Sequence, residues 1–255
     1  LEIDGDGTTY AIGSLRNIAF STSTHEAMCS AGVIAPLVAM LDDDSERPRS
    51  NAAFVIENLS SGNCRICLPL AEAGAIAPLV AMLESGSDEE RKAAAAALRN
   101  MTCVPELRFR IANAGAIPLL LQNAEEHINA AAALGNLFIG QPAIQETAEA
   151  AGALPLLTRI MEDESAHHDH RSMCAWACIP WMATIHVDRV LVARLGAQVF
   201  VEIATSQTNH QEGRDYAKAA LRELAADSAA RAFVARALGR PDAQGGALDT
   251  AISAL

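Results

Sequence analysis

The chain of 255 residues is long enough for one large or two small domains, and half of it is apolar although only 4% is aromatic. Its formal net charge of −12 argues against nucleic acid as a partner, because phosphate binding needs an excess of lysine and arginine. No run of 18 apolar residues predicts a membrane span. Six cysteines without regular pairing are typical of reduced thiols, so we expect the cytoplasm, with the nucleus as the alternative.

The N-terminus carries no signal sequence and no initiator methionine, which predicts a segment of a longer protein. From there a unit of about 40 residues repeats. The stretch AGVIAPLVAML at residues 31–41 returns as AGAIAPLVAML at residues 73–83. Its glycine recurs at intervals of 42, 41, 37 and 44, as Gly32, Gly74, Gly115, Gly152 and Gly196. A second landmark, apolar-x-Asn-apolar, recurs at Asn17, Asn58, Asn100 and Asn136, and decays at Trp181 and Glu223.

Each full unit is predicted to form three helices. The first helix ends at the glycine, which adopts the left-handed conformation at little cost. The second helix begins near a proline, and the third helix carries the Asn motif. The predicted boundaries are a partial repeat at 1–21, repeats at about 22–62, 63–104, 105–140, 141–185 and 186–227, and a degenerate C-terminal repeat at 228–255.

Because each unit buries its apolar stripe only against its neighbours, we expect an all-α protein with a single domain over residues 1–255 and one continuous core. The distance from glycine to Asn is 26 residues in the second full unit, 21 in the third, and 29 from Gly152 to Trp181. We assign both changes in length to the connection between the second and third helices.

The fourth full unit departs from the motif, because CIPWM stands at residues 178–182. Pro180 removes a backbone donor, so the third helix is predicted to kink or end near Ile179. Trp181 replaces the Asn there. It either faces a groove as a binding anchor or is turned into the core by the kink, and we favour the groove.

The Asn positions are predicted to lie on an open strip that all units share. On a helical projection, the residues four and seven positions before each Asn lie beside it, away from the apolar stripe. The earlier residue of each pair is Tyr10, Asn51, Ala93, Asn129, Cys174 or Tyr216, and the later one is Gly13, Phe54, Ala96, Ala132, Ala177 or Ala219.

These motifs resemble the armadillo repeat family in residue type and spacing. The resemblance implies a right-handed α-solenoid (superhelix) of stacked three-helix repeats, whose third helices line a concave groove. It also implies that the Asn positions correspond to the family's ladder that holds the backbone of an extended peptide. Import receptors of this family typically have Trp four positions before the Asn, and its absence here argues against an import-signal site.

The candidate peptide-binding residues are therefore Asn17, Asn58, Asn100, Asn136, Trp181, Asn51 and Asn129. For each Asn the alternative is packing alone, in which its amide bonds the backbone of the neighbouring repeat. Arg47, Glu89 and Glu125, farther along the strip, are expected to select the ligand sequence.

No catalytic motif and no cofactor fingerprint is found in the sequence. His170, Cys174 and Cys178 share one helical face and suit zinc, but Cys178 falls at a core position, so we predict no metal site. We predict a non-catalytic scaffold or adaptor that binds a protein or peptide. The alternative is the substrate-recruiting repeat region of a larger enzyme such as a ubiquitin ligase.

Overall fold

The computed structural model describes residues 5–61, 64–181, 188–205, 211–241, 243 and 245–255. All regular elements in these ranges are helices, which confirms the all-α prediction. None of these helices alone is long and apolar enough to cross a membrane, and the one pair that together reaches that length, Arg65–Glu72 with Ile76–Ser85, is bent by 83°.

The chain divides into two compact units, Leu1–Asn123 (unit 1) and Ala124–Leu255 (unit 2), and each is described by itself. The expectation of a single domain with one continuous core stays a prediction.

Unit 1 contains three third helices, α1, α4 and α7, the first and second helices of the repeats that end in α4 and α7, and the first and second helices, α8 and α9, of the next repeat. In chain order its helices are α1 (Gly5–Ala19), α2 (Thr22–Ser30), α3 (Ile34–Met40), α4 (Glu46–Ser60), α5 (Cys64–Glu72), α6 (Ile76–Ser85), α7 (Asp88–Thr102), α8 (Pro105–Asn113) and α9 (Ala116–Asn123). Helix α4 packs against α1 on one side and α7 on the other. The three third helices of this unit therefore lie side by side.

The repeated spacing of glycine and proline produces the predicted turn between first and second helices. Gly32, Gly74 and Gly115 have φ angles of +79°, +94° and +84°, a region that glycine enters without strain. After Gly74, the amide of Ala75 donates to the carbonyl of Leu70 at 3.0 Å and closes the end of the first helix.

A buried carboxylate fixes the start of α7 against α4. Glu90 is 1% exposed, and its carboxylate accepts from the backbone amide of Ser87 at 2.8 Å in a capping box. The same carboxylate pairs with the Arg49 guanidinium of α4 at 2.8 Å. Because Glu90 has two partners, its charge is compensated inside the packed unit.

Unit 2 follows the same order but loses regularity. Its helices are α10 (Ile128–Phe138), α11 (Pro142–Ala150), α12 (Ala153–Glu162), α13 (His168–Cys178), α14 (Arg189–Thr205), α15 (Gln211–Ala226), α16 (Arg231–Ala237) and α17 (Gly245–Ser253), with a 3-10 turn at Ile179–Trp181. Helix α13 packs against α10, α12 and α14. It ends one residue before Ile179, which confirms the effect predicted for Pro180.

The prediction that Gly196 ends a first helix is wrong. Helix α14 runs unbroken from Arg189 to Thr205 through Gly196, which is absent from the glycines with positive φ. No proline follows Gly196, unlike the four earlier glycines, so nothing obliges the chain to start a new helix there. The buried glycine instead gives room to the Phe200 ring.

The two length changes have different structural outcomes. Four residues, 124–127, connect α9 to α10, against two, 86–87, between α6 and α7, so the deletion does not shorten the connection. It shortens the third helix, which has 11 residues in α10 and 15 in α7. The longer stretch before Trp181 agrees only in part with the prediction. Five residues, 163–167, connect α12 to α13, three more than between α6 and α7 but as many as the five, 41–45, between α3 and α4.

Candidate peptide-binding strip

On α1 and α4 the predicted strip is open to solvent. Tyr10 is 77% exposed and Asn17 is also exposed, while Asn51, Phe54 and Asn58 are half-buried. Residues 51, 54 and 58 share a face because they are spaced three and four positions apart on a helix. We call these five residues the unit 1 strip.

A cation joins the two helices of the unit 1 strip. The Arg16 guanidinium of α1 lies 3.9 Å from the centroid of the Phe54 ring on α4, within the range of a cation–π interaction. Its Nη1 donates to Oδ1 of Asn51 at 3.3 Å. Arg16 therefore shapes the surface over Phe54, although the sequence analysis did not single it out.

On α7 the strip is closed, so the prediction of an open strip common to all units is wrong there. Ala93, Ala96 and Asn100 are all buried. The accessible residues that flank these strip positions are the exposed Lys92 and the half-buried Arg99, each one position before a predicted strip residue. Glu89, near the start of the same helix, is exposed as well. Ala93 and Ala96 end at Cβ and do not reach out of the packed surface as Asn51 and Phe54 do.

Asn100 uses its amide for packing between repeats. Its Nδ2 donates to the backbone carbonyl of Glu57 at 3.0 Å and to Oγ of Ser60 at 3.1 Å, both on α4. Its Oδ1 accepts from Nε and Nη2 of Arg99 at 3.3 and 3.0 Å. With both ends of the amide engaged and only 7% of the residue exposed, Asn100 follows the packing alternative in this structure.

Asn58 has the same repeat position and a different environment. Its Nδ2 is buried, and among the described residues it has no hydrogen-bond partner. In the preceding repeat, the position that corresponds to Ser60 is Ala19, which has no hydroxyl group to accept a hydrogen bond. An unsatisfied buried donor costs about 1–3 kcal/mol of stability. A ligand that offers an acceptor to Nδ2 of Asn58 would remove this cost.

Glu57 lies next to Asn58 among three cations. Its carboxyl is half-buried, and this burial raises its pKa above the usual value of 4.5. Arg99, Lys92 and Arg16, in decreasing order, oppose the shift by favouring the charged form. The rise in pKa shows that the cost of desolvating the carboxylate exceeds the attraction of these cations.

Three of these four charged residues occupy the variable position of the Asn motif. LRNI, IENL and LRNM place Arg16, Glu57 and Arg99 immediately before the Asn on α1, α4 and α7. We call these three residues the charged column. The sequence shows this alternation of Arg, Glu and Arg in the motif itself. A helical projection that followed only the Asn and the residues four and seven positions before it did not include these charged residues.

In unit 2 the two Asn positions of α10 stay half-buried, as on α4, but the position between them is closed. Asn129 and Asn136 on α10 are half-buried, with Ala132 buried between them. Glu125, expected to select the ligand sequence, forms an exposed ion pair with Arg159 of α12. The structure therefore keeps the two asparagines on one face and gives Glu125 a partner within the unit.

The preference for Trp181 as a groove anchor is wrong in this structure. Trp181 is 2% exposed, and its ring meets the Phe138 ring edge to face, with centroids 5.0 Å apart. Cys174 and Ala177, the strip positions before it on α13, are fully buried. The helix ends before Pro180, and the 3-10 turn directs the indole into the core of unit 2.

The His/Cys face of α13 also belongs to the core. Nε2 of His170 is hydrogen-bonded to the carbonyl of Ala124. Burial raises the pKa of the Cys174 thiol to about 12, and it also raises the pKa of Cys178. Metal binding requires deprotonated thiols, so these shifts oppose zinc binding by the residues that the sequence analysis had considered.

The fold and its strip define a class, that of all-α repeat proteins with an open face of third helices. The model of the Armadillo/beta-catenin-like repeat matches residues 67–103. A designed armadillo repeat protein is 28% identical with a TM-score of 0.67, and the match covers 86% of this chain and 94% of that one. The chain is therefore similar to armadillo repeat proteins, in the family model over one repeat and in fold over most of its length.

Two further structures extend the comparison. A designed armadillo repeat protein in complex with the peptide (KR)4 is 27% identical with a TM-score of 0.66, over 87% of this chain and 95% of that one. The armadillo repeats only protein of Plasmodium falciparum shares the fold at 16% identity and a TM-score of 0.59, over 68% and 79% of the two chains. Among curated proteins, none matches the sequence.

Proposed function

We propose that the chain is a non-catalytic interaction module that binds an extended peptide segment of a partner protein along the unit 1 strip. The observation that carries the proposal is the unsatisfied Nδ2 of Asn58, beside the half-buried Asn51 and Phe54. The χ2 torsion of asparagine is soft, so a small rotation directs this donor to a ligand carbonyl. A ligand that supplies the acceptor removes the cost of the unpaired group.

The chemistry of the strip suits a peptide backbone. Each Asn amide offers a donor and an acceptor, so it binds a peptide unit whatever its side chain. Neighbouring helices pack about 10 Å apart and an extended chain advances about 3.3 Å per residue. Asn17 and Asn58 therefore meet a bound peptide about three residues apart. The similar designed protein in complex with (KR)4 supports a peptide as the class of ligand.

The test is selection of binders from a displayed library of random octapeptides on the whole chain, followed by affinity measurements on variants. We expect Asn58→Ala to weaken the selected peptides by roughly 2- to 12-fold, the equivalent of one hydrogen bond. Asn51→Ala serves as a second probe of the same strip. If the peptides bind both variants as well as the parent, the ligand uses another face and the proposal is wrong.

The double replacement of Asn58 and Asn100 by Ala tests the ladder as a whole. A ladder in which both residues hold the peptide loses about 1–3 kcal/mol of binding free energy. Because the Asn100 amide is engaged within unit 1, we expect the loss of affinity to come from Asn58 and Asn100→Ala to lower stability instead.

A further inference from the structure

One face of α1 is open to solvent outside the unit 1 strip. Ala11, Ser14, Leu15 and Ile18 are spaced three and four positions apart, so they share this face of the helix. Ala11 and Ser14 are exposed, Leu15 is half-buried, and Ile18 is 47% exposed. We call these four residues the α1 stripe. None of them belongs to the unit 1 strip.

The same face is closed on the later third helices. Counted from the Asn of the motif, the equivalent residues on α4 are Ala52, Val55, Ile56 and Leu59, and all four are 0% exposed. The four equivalents on α7 and the four on α10 are also 0% exposed. Helices α4 and α7 each pack against a second helix, α3 and α6. Among the residues that the structure describes, no helix precedes α1, so its stripe remains uncovered there.

The side chains of the α1 stripe are complementary in size to a second copy of themselves. Two α1 helices can pair antiparallel about a two-fold axis that passes between residues 14 and 15. Ile18 of one copy then meets Ala11 of the other, and Leu15 meets Ser14. A large side chain faces a small one at every position, as close packing requires. A two-fold interface needs such a patch, because both copies use the same surface.

The polar and charged groups of α1 do not oppose this pairing. Oγ of Ser14 donates to the carbonyl of Tyr10 at 2.9 Å, so the hydroxyl keeps a partner when water is excluded. The α1 stripe contains no charged residue. The net charge of −12 makes two copies repel each other at a distance, but salt screens exposed charges beyond about 8–10 Å. The contact itself therefore depends on the apolar side chains.

We infer that the α1 stripe is an interface between two copies of this chain, which pair through antiparallel α1 helices. This interface goes beyond the proposed function and does not depend on it, because the stripe and the unit 1 strip share no residue. Helix α1 has 15 residues and is about 22 Å long. One helix pair of this length falls below the roughly 1,200–2,000 Å² of a stable interface, so we expect a weak dimer that dissociates in the micromolar range.

The first experiment measures the mass of the whole chain by sedimentation velocity, at concentrations from about 1 to 300 µM that bracket such a dissociation constant. We expect the average mass to rise with concentration from 26.8 kDa toward twice that value. The test variant is Ile18→Glu. Phe109→Glu of α8 is the matched control, because Phe109 is 45% exposed and lies outside the α1 stripe. Both side chains are exposed in the single chain, so circular dichroism should show a native fold for both variants.

Ile18→Glu should weaken dimerisation by at least about tenfold, because each dimer would bury two unpaired carboxylates. Phe109→Glu should dimerise as the parent does. A parent chain that stays at 26.8 kDa throughout leaves the α1 stripe to a different partner and overturns the inference. A dimer that Ile18→Glu does not weaken uses another surface and overturns it as well. Neither result affects the proposed function, whose test is the dependence of peptide binding on Asn58.

The second experiment tests the antiparallel register. Ala11→Cys and Ile18→Cys are combined in one chain, which is oxidised with diamide at high concentration and mapped by mass spectrometry. The two positions are about 10 Å apart along one helix, too far for a disulfide within a copy. We expect a disulfide from position 11 of one copy to position 18 of the other. Links of 11 to 11 and 18 to 18 in its place would show parallel helices and overturn the inference.

Discussion

On α4, the Asn position and the residues four and seven places before it are Asn58, Phe54 and Asn51, and all three are half-buried. On α13 the same positions hold Trp181, Ala177 and Cys174, and these are 2% exposed or less. Transfer of the indole, methyl and thiol groups out of water lowers the free energy of the folded chain. The two amides lose hydrogen bonds to solvent on burial, and these have to be replaced. A repeat position therefore predicts the face of a helix, but the side chain and its neighbours decide whether this face stays open.

The largest expected effect is that of Trp181→Ala in the closed strip. Truncation of a large buried aromatic costs about 3–5 kcal/mol, and here it also removes the edge contact with Phe138. Urea denaturation measures the loss. Phe109→Ala is the control, because Phe109 is 45% exposed and its truncation should cost far less. A Trp181→Ala variant as stable as the parent, with weakened peptide binding, would return Trp181 to the role of an anchor.

Gly135→Ala tests how tightly unit 2 is packed around Trp176. A Cβ at Gly135 of α10 overlaps the Trp176 ring of α13, so we expect a loss of about 1–3 kcal/mol from overpacking. Gly13→Ala in α1 is the matched control: among the described residues, no atom beyond its own stretch of helix lies within 4 Å of its added Cβ. That variant should gain up to about 1 kcal/mol from helix propensity. Thermal unfolding of both variants checks the difference, and equal shifts would argue against the close approach.

Asn100→Ala and Asn58→Ala separate packing from binding in the open unit. Asn100→Ala removes two buried hydrogen bonds to α4, so we expect a loss of about 1–3 kcal/mol in stability. Asn58→Ala removes a donor without a partner among the described residues, so its stability should change little. Denaturation curves give the comparison. Equal losses for the two variants would mean that both asparagines serve packing.

The smallest expected effect is that of Glu57→Gln on stability. Burial raises the pKa of Glu57 in the folded chain, so folding favours the protonated carboxyl. The stability that it contributes is present below the unfolded pKa and is lost as pH rises through the folded pKa. Glu57→Gln should therefore be slightly more stable than the parent at pH 7, and the difference should vanish below about pH 4.5. Denaturation at pH 4 and 7 measures it, and a variant that is less stable at pH 7 would contradict the prediction.

The period of the sequence determined most of the fold. The glycine intervals, the prolines that follow and the Asn motif predicted helix triplets, and Gly32, Gly74 and Gly115 have the left-handed backbone that such turns require. Pro180 ended α13 where its missing amide predicted. The sequence also contains a local indication that α14 continues through Gly196, because no proline follows this glycine. These features depend on backbone conformation within a few residues, so one chain segment suffices to predict them.

The candidate site depended on tertiary structure. Asn58 and Asn100 have the same motif, and their different hydrogen bonding follows from residues about 40 positions earlier, Ala19 and Ser60. Arg16 of α1 lies against Asn51 and the Phe54 ring of α4, a contact between residues about 35 positions apart. Trp181 is buried because the 3-10 turn brings it onto Phe138. Burial and pairing depend on which side chains neighbouring helices bring together, and a helical projection of one repeat does not contain that information.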